Sequence, residues 1–202
     1  MTMQRRTVLA SVGLAVAGTA GCLGGSAFAS GPTASDVDRT VGDVATAAGL
    51  RVAVTDVRTA ARVGRVYDCP CGEPVEKATV AGDGETVVLT RLAVENAADA
   101  PREFPARAVD GPGDVTLFAR GDALPIARLG TSYAHPPLSF RHDGDDLPSY
   151  RQAMKDAGAF PDAAPAGTRA AGWLCNVAPD FDPAATVVEV VVGEATIRWR
   201  LG

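Results

Sequence analysis

The sequence predicts an all-β domain built as an antiparallel β-sandwich, and three observations lead to this prediction. Apolar side chains alternate with polar ones in several segments, the segments are short, and turn residues separate them. Period-two alternation of β-branched residues is typical of half-buried strands. Short antiparallel strands with turn signals favour two sheets packed face to face. We therefore expect two sheets around one hydrophobic core.

Seven strands and two hairpin turns can be placed on the sequence. The predicted strands span residues 50–57, 85–96, 114–120, 124–129, 168–177, 187–192 and 195–201. A hairpin is expected at Gly121-Asp122, although Pro125 confines its second strand to a sheet edge or to a strand start. A second hairpin is expected at Gly193-Glu194, where glycine allows the positive φ of a type II′ turn.

Alternation also predicts which side chains face the core. The inward positions are Val52, Val54, Val88, Leu92, Val94, Trp173, Cys175, Val177, Ile197, Trp199 and Leu201. Leaving such faces wet would cost about 1.5–3 kcal/mol for each large side chain. We expect both tryptophans to be buried in the single core.

One segment has helical rather than strand periodicity. Its apolar residues at helical spacing are Tyr150, Ala153, Met154 and Ala157. Pro148 lies near the start and Gly158 just past the end, as expected for helix boundaries. The prediction is one short helix near residues 148–157, in the long connection 130–167, with its apolar face packed on the sandwich.

The first 22 residues have the pattern of an export signal. Arg5 and Arg6 form a twin-arginine pair, an uncharged run of 15 residues follows over 7–21, and small residues precede Cys22. The run is shorter than the roughly 20 residues that a transmembrane helix needs. A charged start, a short apolar stretch and a small-residue cleavage site indicate a signal peptide. We expect cleavage before Cys22 and lipid attachment to Cys22.

These features divide the chain into three parts. A signal peptide covers residues 1–21, the lipidated cysteine and a flexible Gly/Ser/Ala-rich tether cover 22–40, and the folded domain covers 41–202. Without Arg5 and Arg6, 17 basic residues face 24 acidic ones, a net charge of −7. This balance argues against nucleic-acid binding, which needs a basic surface. Only two lysines occur, and the composition resembles that of twin-arginine lipoproteins of halophilic archaea.

Three short motifs stand out in the folded part of the chain. They are Val41-Gly-Asp43 with the strand after Gly49, Val94-Glu95-Asn96, and the strand Gly172-Trp-Leu-Cys-Asn-Val-Ala-Pro179. Together they resemble a secreted immunoglobulin-like family of unknown function that is related to mycobacterial immunoprotective extracellular antigens. The chain departs from the family at Asp68-Cys-Pro-Cys-Gly and in its 130–167 connection. The resemblance implies an immunoglobulin-like fold and an extracellular setting, and it implies no catalytic residue.

With Cys22 carrying lipid, three cysteines remain, and their state stays open. Cys175 is expected on the inward face, so it could form a disulfide with Cys69 or Cys71. The alternatives are three thiols, a strained Cys69–Cys71 bridge across Pro70, or metal ligation. The Cys-x-Cys spacing is not the Cys-x₂₋₄-Cys of structural zinc sites. A blue-copper site would need two histidines near a cysteine, and neither His nor Met follows Cys175.

No other catalytic or cofactor motif is present in the sequence. The run His142-Asp-Gly-Asp-Asp146 lacks the spacing of a calcium loop and is predicted to be a solvated acidic turn. We expect a non-catalytic protein without a cofactor, anchored by lipid on the outer face of the cell membrane. It would bind or scaffold an envelope protein or ligand that the sequence does not identify. The alternative is a redox or metal-handling surface protein that uses Cys69, Cys71 and Cys175.

Overall fold

The computed structural model describes residues 31–68, 72–106, 114–124 and 137–202, and within these ranges the chain is almost entirely antiparallel β-structure. The strands are β1 (Val44–Ala47), β2 (Leu50–Ala60), β3 (Arg62–Tyr67), β4 (Val75–Val80), β5 (Glu85–Asn96), β6 (Val115–Ala119), β7 (Asp122–Ala123), β8 (Ser139–His142), β9 (Asp145–Pro148), β10 (Arg169–Pro179), β11 (Thr186–Val192) and β12 (Ala195–Arg200). One α-helix, α1 (Tyr150–Asp156), and two short 3-10 helices, Ala34–Asp36 and Pro183–Ala185, complete the described elements. The all-β sandwich prediction is confirmed.

The described strands form three four-stranded sheets. The central sheet has the order β1-β2-β5-β10, the first outer sheet β12-β11-β6-β7, and the second outer sheet β4-β3-β8-β9. The central and second outer sheets share one long hairpin, because β2 continues into β3 and β4 continues into β5. The base of this hairpin pairs as β2 with β5, and its far end pairs as β3 with β4.

Two separate cores lie on the two faces of the central sheet. The first core, against the first outer sheet, contains Val52, Val54, Val88, Leu92, Val94, Ile197 and Trp199. The second core, against the second outer sheet, contains Val63, Val87, Leu89, Phe140, Leu147, Trp173 and Cys175. Both tryptophans are buried as predicted, but the prediction of one common core is wrong. Successive side chains of β10 point to opposite faces of the central sheet, and an outer sheet covers each of these faces.

The predicted helix and the C-terminal hairpin are confirmed. The Ser149 side chain caps α1 by accepting a hydrogen bond from the Gln152 N–H at 3.2 Å, and Tyr150 and Met154 are buried in the first core. Gly193 turns β11 into β12 with φ of +59°. The helix and the hairpin therefore form where the local sequence predicted them.

The hairpin expected at Gly121-Asp122 differs by one residue. Arg120 and Gly121 form the turn, with φ of +51° and +86°, and Asp122 already belongs to β7. Two positive φ values are what a type I′ turn requires, and glycine takes the second of them. The predicted strand 124–129 lies outside the described residues from 125 onward.

Five strands, β1, β3, β4, β8 and β9, were not predicted. Most side chains of β4 are exposed on both faces, so the strand carries no hydrophobic alternation. The connection 130–167 also contains the hairpin β8–β9, whose turn residues Asp143 and Gly144 have φ of +51° and +86°. Asp-Gly is a strong signal for this type of hairpin turn. The sequence analysis predicted only a solvated acidic turn here, without strands on either side of it.

The packed domain begins before residue 41, the boundary that the sequence predicted. Val37 is buried, the Gly31 N–H donates to the Gly121 carbonyl at 2.8 Å, and Thr40 forms a β-bridge with Arg200. Residues 31–40 of the expected tether therefore pack against the sandwich. No helix in the described parts of the chain is long and apolar enough to cross a membrane.

Candidate functional site

The structure describes one of the six site residues that the sequence singled out. That residue is Cys175; those outside the described residues are Arg5, Arg6, Cys22, Cys69 and Cys71. Export, lipid attachment and the pairing of Cys69 or Cys71 therefore stay predictions. The candidate site is built from Cys175 and the described side chains around it.

Cys175 lies in the second core, on the inward face of β10. Its exposed fraction is 1%, and Trp173 shares the same face, as alternation predicted. Its strand, β10, is the last of the central sheet in the described order and pairs along its full length with β5. Eleven unbroken residue pairs between β10 and β5 fix the backbone that carries the thiol.

Arg65 and Tyr67 extend from β3 toward the same core. Arg65 is only 4% exposed, an unusual burial for a guanidinium. One of its terminal nitrogens, Nη1, donates a hydrogen bond to the Tyr67 hydroxyl, and the guanidinium carbon lies 5.4 Å from the centre of the Tyr67 ring. Among the described residues, Arg65 Nε has no hydrogen-bond partner. We call Arg65, Tyr67 and Cys175 the buried arginine cluster.

The three side chains of this cluster act on one another electrostatically. Burial lowers the pKa of Arg65, while the charges of Tyr67 and Cys175 act in the opposite direction. Burial also raises the pKa of Tyr67, against the effect of Arg65. Reactive thiols are partly exposed to solvent, whereas buried structural ones are inert. With 1% of its surface exposed, Cys175 is positioned as a packing residue of the second core.

Sequence reasoning missed Arg65 and Tyr67 because β3 itself was not predicted. In its sequence, Arg-Val-Gly-Arg-Val-Tyr, each face of the strand carries one arginine and at least one apolar residue. The alternation therefore does not indicate which face is buried. Only the pairing with β4 and β8 shows which arginine is covered. The available signal was an aromatic residue and an arginine at alternate positions just before Cys69.

The acidic run 142–146, predicted as a solvated acidic turn, forms the turn of the β8–β9 hairpin, and two of its three carboxylates pair with arginines. Asp145 accepts a hydrogen bond from Arg58 at 3.1 Å, and Asp146 accepts one from Arg141 at 2.9 Å. Throughout the described ranges, no three His, Cys, Asp or Glu side chains converge as metal ligands. The geometry thus assigns these two carboxylates to surface ion pairs.

Two residues of the family-like motifs have structural contacts. Asn96 is fully buried, and its side-chain amide donates to the carbonyls of Ala100 and Ala164, each at 2.9 Å. Asp43 accepts the Thr40 N–H at 2.7 Å through its carboxylate, and its carbonyl accepts the Trp199 indole N–H at 2.9 Å. Their contacts tie loops to the sandwich, so they belong to the fold rather than to a binding site.

Comparisons with known proteins find matches among solved structures. No family model and no curated protein matches the chain. The yjhA protein from Bacillus subtilis is 10% identical, with a TM-score of 0.42, and the match covers 81% of this chain and 99% of that one. A conserved hypothetical protein from Bacillus anthracis is 14% identical, with a TM-score of 0.42 and coverages of 79% and 94%. An uncharacterized β-sandwich protein from Clostridium difficile 630 is 5% identical, with a TM-score of 0.38 and coverages of 82% and 96%.

Proposed function

We propose that this chain is a lipid-anchored protein of the outer face of the cell membrane, with a non-catalytic domain that binds or scaffolds an envelope component. The observation that carries this proposal is the order of signals at the N-terminus. A twin-arginine pair, Arg5 and Arg6, precedes an uncharged run, and small residues precede Cys22. In the same proposal, the chain belongs to the immunoglobulin-like secreted family that its motifs resemble.

An exposed sheet edge supports a binding role for the domain. Among the described strands, β4 of the second outer sheet pairs only with β3, and it carries two exposed apolar residues, Val75 (40%) and Val80 (63%). The Ala81 N–H donates to the Ala61 carbonyl, so residues 61 and 81 form a hydrogen-bonded pair. Along an antiparallel ladder, hydrogen-bonded pairs alternate with pairs whose backbone groups point away from the partner strand. The backbone groups of Glu76, Ala78 and Val80 then face away from β3. A partner can add a strand to such an edge.

Localisation of variants tests the anchor. Cys22→Ser should release the protein into the medium or leave its precursor uncleaved, and Arg5→Lys/Arg6→Lys should block export. A Cys22→Ser protein that stays on the membrane with its signal removed would show that the lipid-anchor proposal is wrong. Cys175→Ser is the matched control. Because Cys175 lies inside the folded domain, this substitution should leave the localisation of the protein unchanged.

Partner capture tests the binding role. Proteins that co-purify with the wild-type chain from native membranes should be lost from Val75→Lys/Val80→Lys. Val44→Lys, at another exposed valine (53%), is the matched control and should retain them. Equal recovery with both variants would exclude the β4 edge as the binding surface.

A second candidate function is redox or metal handling by Cys69, Cys71 and Cys175. The observation that favours it is the buried guanidinium of Arg65, whose Nε has no hydrogen-bond partner among the described residues and which lies on the strand that leads to Cys69. Metal content and thiol count of the purified chain test it. Stoichiometric copper or zinc that disappears in Cys69→Ser/Cys71→Ser would support this candidate, and its absence from the metal-supplied wild-type protein, with no change in thiol count on oxidation, would exclude it.

A further inference from the structure

The second outer sheet covers one face of the central sheet over only part of its length. Side chains at alternate positions of β2, β5 and β10 share this face, and Trp173 marks the part that belongs to the second core. Further from that core the same face carries four charged residues, which we call the arginine face: Arg51, Arg91, Glu95 and Arg169. The side chains of Arg51 and Arg169 are 50% and 73% exposed, so solvent reaches this part of the sheet.

The arginine face is built from rows that run across the strands. Glu95 lies between Arg51 on β2 and Arg169 on β10, and it accepts hydrogen bonds from them at 3.3 and 2.8 Å. The next row along the strands, the alanine row, consists of small residues: Ala53, Ala93 and Ala171. Arg91 lies one row beyond, about 13 Å from Glu95 along β5 at the usual rise of a strand. The arginines therefore flank a shallow trough with a floor of small side chains.

The charge of this face is opposite to that of the whole chain. Three arginines against one glutamate leave the face with a net charge of +2, whereas the chain carries −5. Arg91 makes no ion pair with any of the described residues. Asp56, its neighbour in the register, pairs instead with Arg58 at 3.5 Å. An anionic ligand would thus be attracted to this face in spite of the negative charge of the chain.

The geometry of the trough favours an extended peptide as the anion. The planar guanidinium of arginine pairs with carboxylates through two parallel hydrogen bonds. Successive side chains of an extended peptide point to opposite sides, so a segment along the alanine row would reach Arg91 on one side and Arg51 and Arg169 on the other. Nucleic-acid bases stack on exposed aromatic rings, and Trp173, the aromatic residue that the described part of β10 places on this face, is only 4% exposed.

The position of the arginine face in the domain argues against a membrane lipid as its ligand. The described chain begins at Gly31, whose N–H donates to the Gly121 carbonyl. Beside that contact the Arg120 N–H donates to the Ala185 carbonyl, in the connection after the end of β10. Arg169 lies at the other end of β10, about 30 Å further along the strand. With the proposed lipid anchor the arginine face would be remote from the membrane, and this step alone rests on that proposal.

We propose that the arginine face binds an extended acidic segment of a partner polypeptide. Carboxylates of the segment pair with Arg91 and compete with Glu95 for Arg51 and Arg169, while its backbone lies over the alanine row. The inference goes beyond the proposed function, because it adds a second binding surface and names the chemistry of its ligand. Its failure would leave the proposals of the lipid anchor and of the β4 edge standing.

The test is the binding of fluorescently labelled poly-L-glutamate to the full chain in detergent, measured by fluorescence anisotropy at about 0.1 M salt. The wild-type protein should bind, and Arg51→Gln/Arg91→Gln/Arg169→Gln should lose roughly tenfold in affinity, since each exposed charge pair contributes little by itself. Arg62→Gln, at an exposed arginine of β3 outside this face, is the matched control and should change the affinity by less than about twofold. Glu95→Gln should bind about two- to fivefold more tightly, because it removes the competing carboxylate.

Four outcomes would overturn the inference. They are no binding by the wild-type protein, equal losses in the triple variant and Arg62→Gln, weaker binding by Glu95→Gln, and tighter binding of polygalacturonate of equal charge, which would indicate an acidic polysaccharide instead of a peptide. If circular dichroism shows that the triple variant does not fold, Arg91→Gln replaces it. That single variant should lose about two- to fivefold in affinity, and an unchanged affinity would overturn the inference.

Discussion

Asn96 ends β5 with a side chain that ties two loops to the central sheet, and its removal tests the structural role assigned to it. The residue is fully buried. Its Nδ2 donates to the carbonyls of Ala100 and Ala164, each at 2.9 Å, and its Oδ1 accepts the Ala98 N–H at 3.0 Å. All of the hydrogen-bonding atoms of the side chain are therefore used within the fold.

Asn96→Ala should lower the free energy of unfolding by about 2–4 kcal/mol, since three hydrogen bonds of about 0.5–1.5 kcal/mol each are lost. The carbonyl of Ala164 keeps the Arg102 N–H as a donor at 3.0 Å, which limits the loss. For a domain of this size the melting temperature should fall by roughly 5–15 °C. Thermal and urea denaturation followed by circular dichroism, at one fixed salt concentration, measures both quantities.

Glu95→Ala is the matched control next to Asn96 in the chain. Glu95 accepts hydrogen bonds at the surface from Arg51 at 3.3 Å and from Arg169 at 2.8 Å. Exposed ion pairs contribute about 0–1 kcal/mol each, so this variant should lose little stability. Equal losses in the two variants, or a loss below about 1 kcal/mol in Asn96→Ala, would refute the reasoning.

Two further predictions concern the packing of α1 on β10 and the pH dependence of stability. In Gly172→Ala the added Cβ would lie 2.5 Å from Tyr150 Cα, so α1 must move and the free energy of unfolding should fall by about 1–3 kcal/mol. Gly82→Ala, whose Cβ would meet only the flexible Glu85 side chain, is the control in the same denaturation assay, and equal stabilities would contradict the prediction. The Tyr150 hydroxyl is buried and has no hydrogen-bond partner among the described residues, so Tyr150→Phe should keep or raise the melting temperature at neutral pH. Burial raises the pKa of Tyr150 in the folded state, so its contribution to stability is complete below the unfolded pKa of about 10 and is lost as the pH rises beyond it. Melting curves between neutral and strongly alkaline pH should therefore show a smaller alkaline loss in Tyr150→Phe than in the wild-type protein, and identical pH profiles would contradict this assignment.

Strands with two chemically different faces could be predicted from the sequence. The bounds of β5 were predicted without error, and β12 buries Ile197 and Trp199 while Thr196 and Arg200 face solvent. In these strands one face is apolar and the other polar, so the alternation is visible along the chain. The same reasoning failed for β4, because a strand exposed on both faces has no apolar side.

The candidate site could be predicted only in part. Alternation placed Cys175 beside Trp173 on one face of β10, and the structure confirms this. It could not reveal Arg65, since a charged residue in a short strand is ordinarily assigned to the solvent face. Pairing of β3 with β8 decides that this arginine is covered, and β8 lies more than 70 residues further along the chain.

The sequence by itself determined the class of the fold, the short helix, the C-terminal hairpin and the side chains that share a strand face. The predicted export and lipid signals also rest on the sequence alone, because they lie outside the described residues. The tertiary structure decided that Trp173 and Trp199 belong to different cores on opposite faces of the central sheet. The physical reason is that alternation shows which side chains point the same way, whereas the layer that covers them comes from strands distant in the chain.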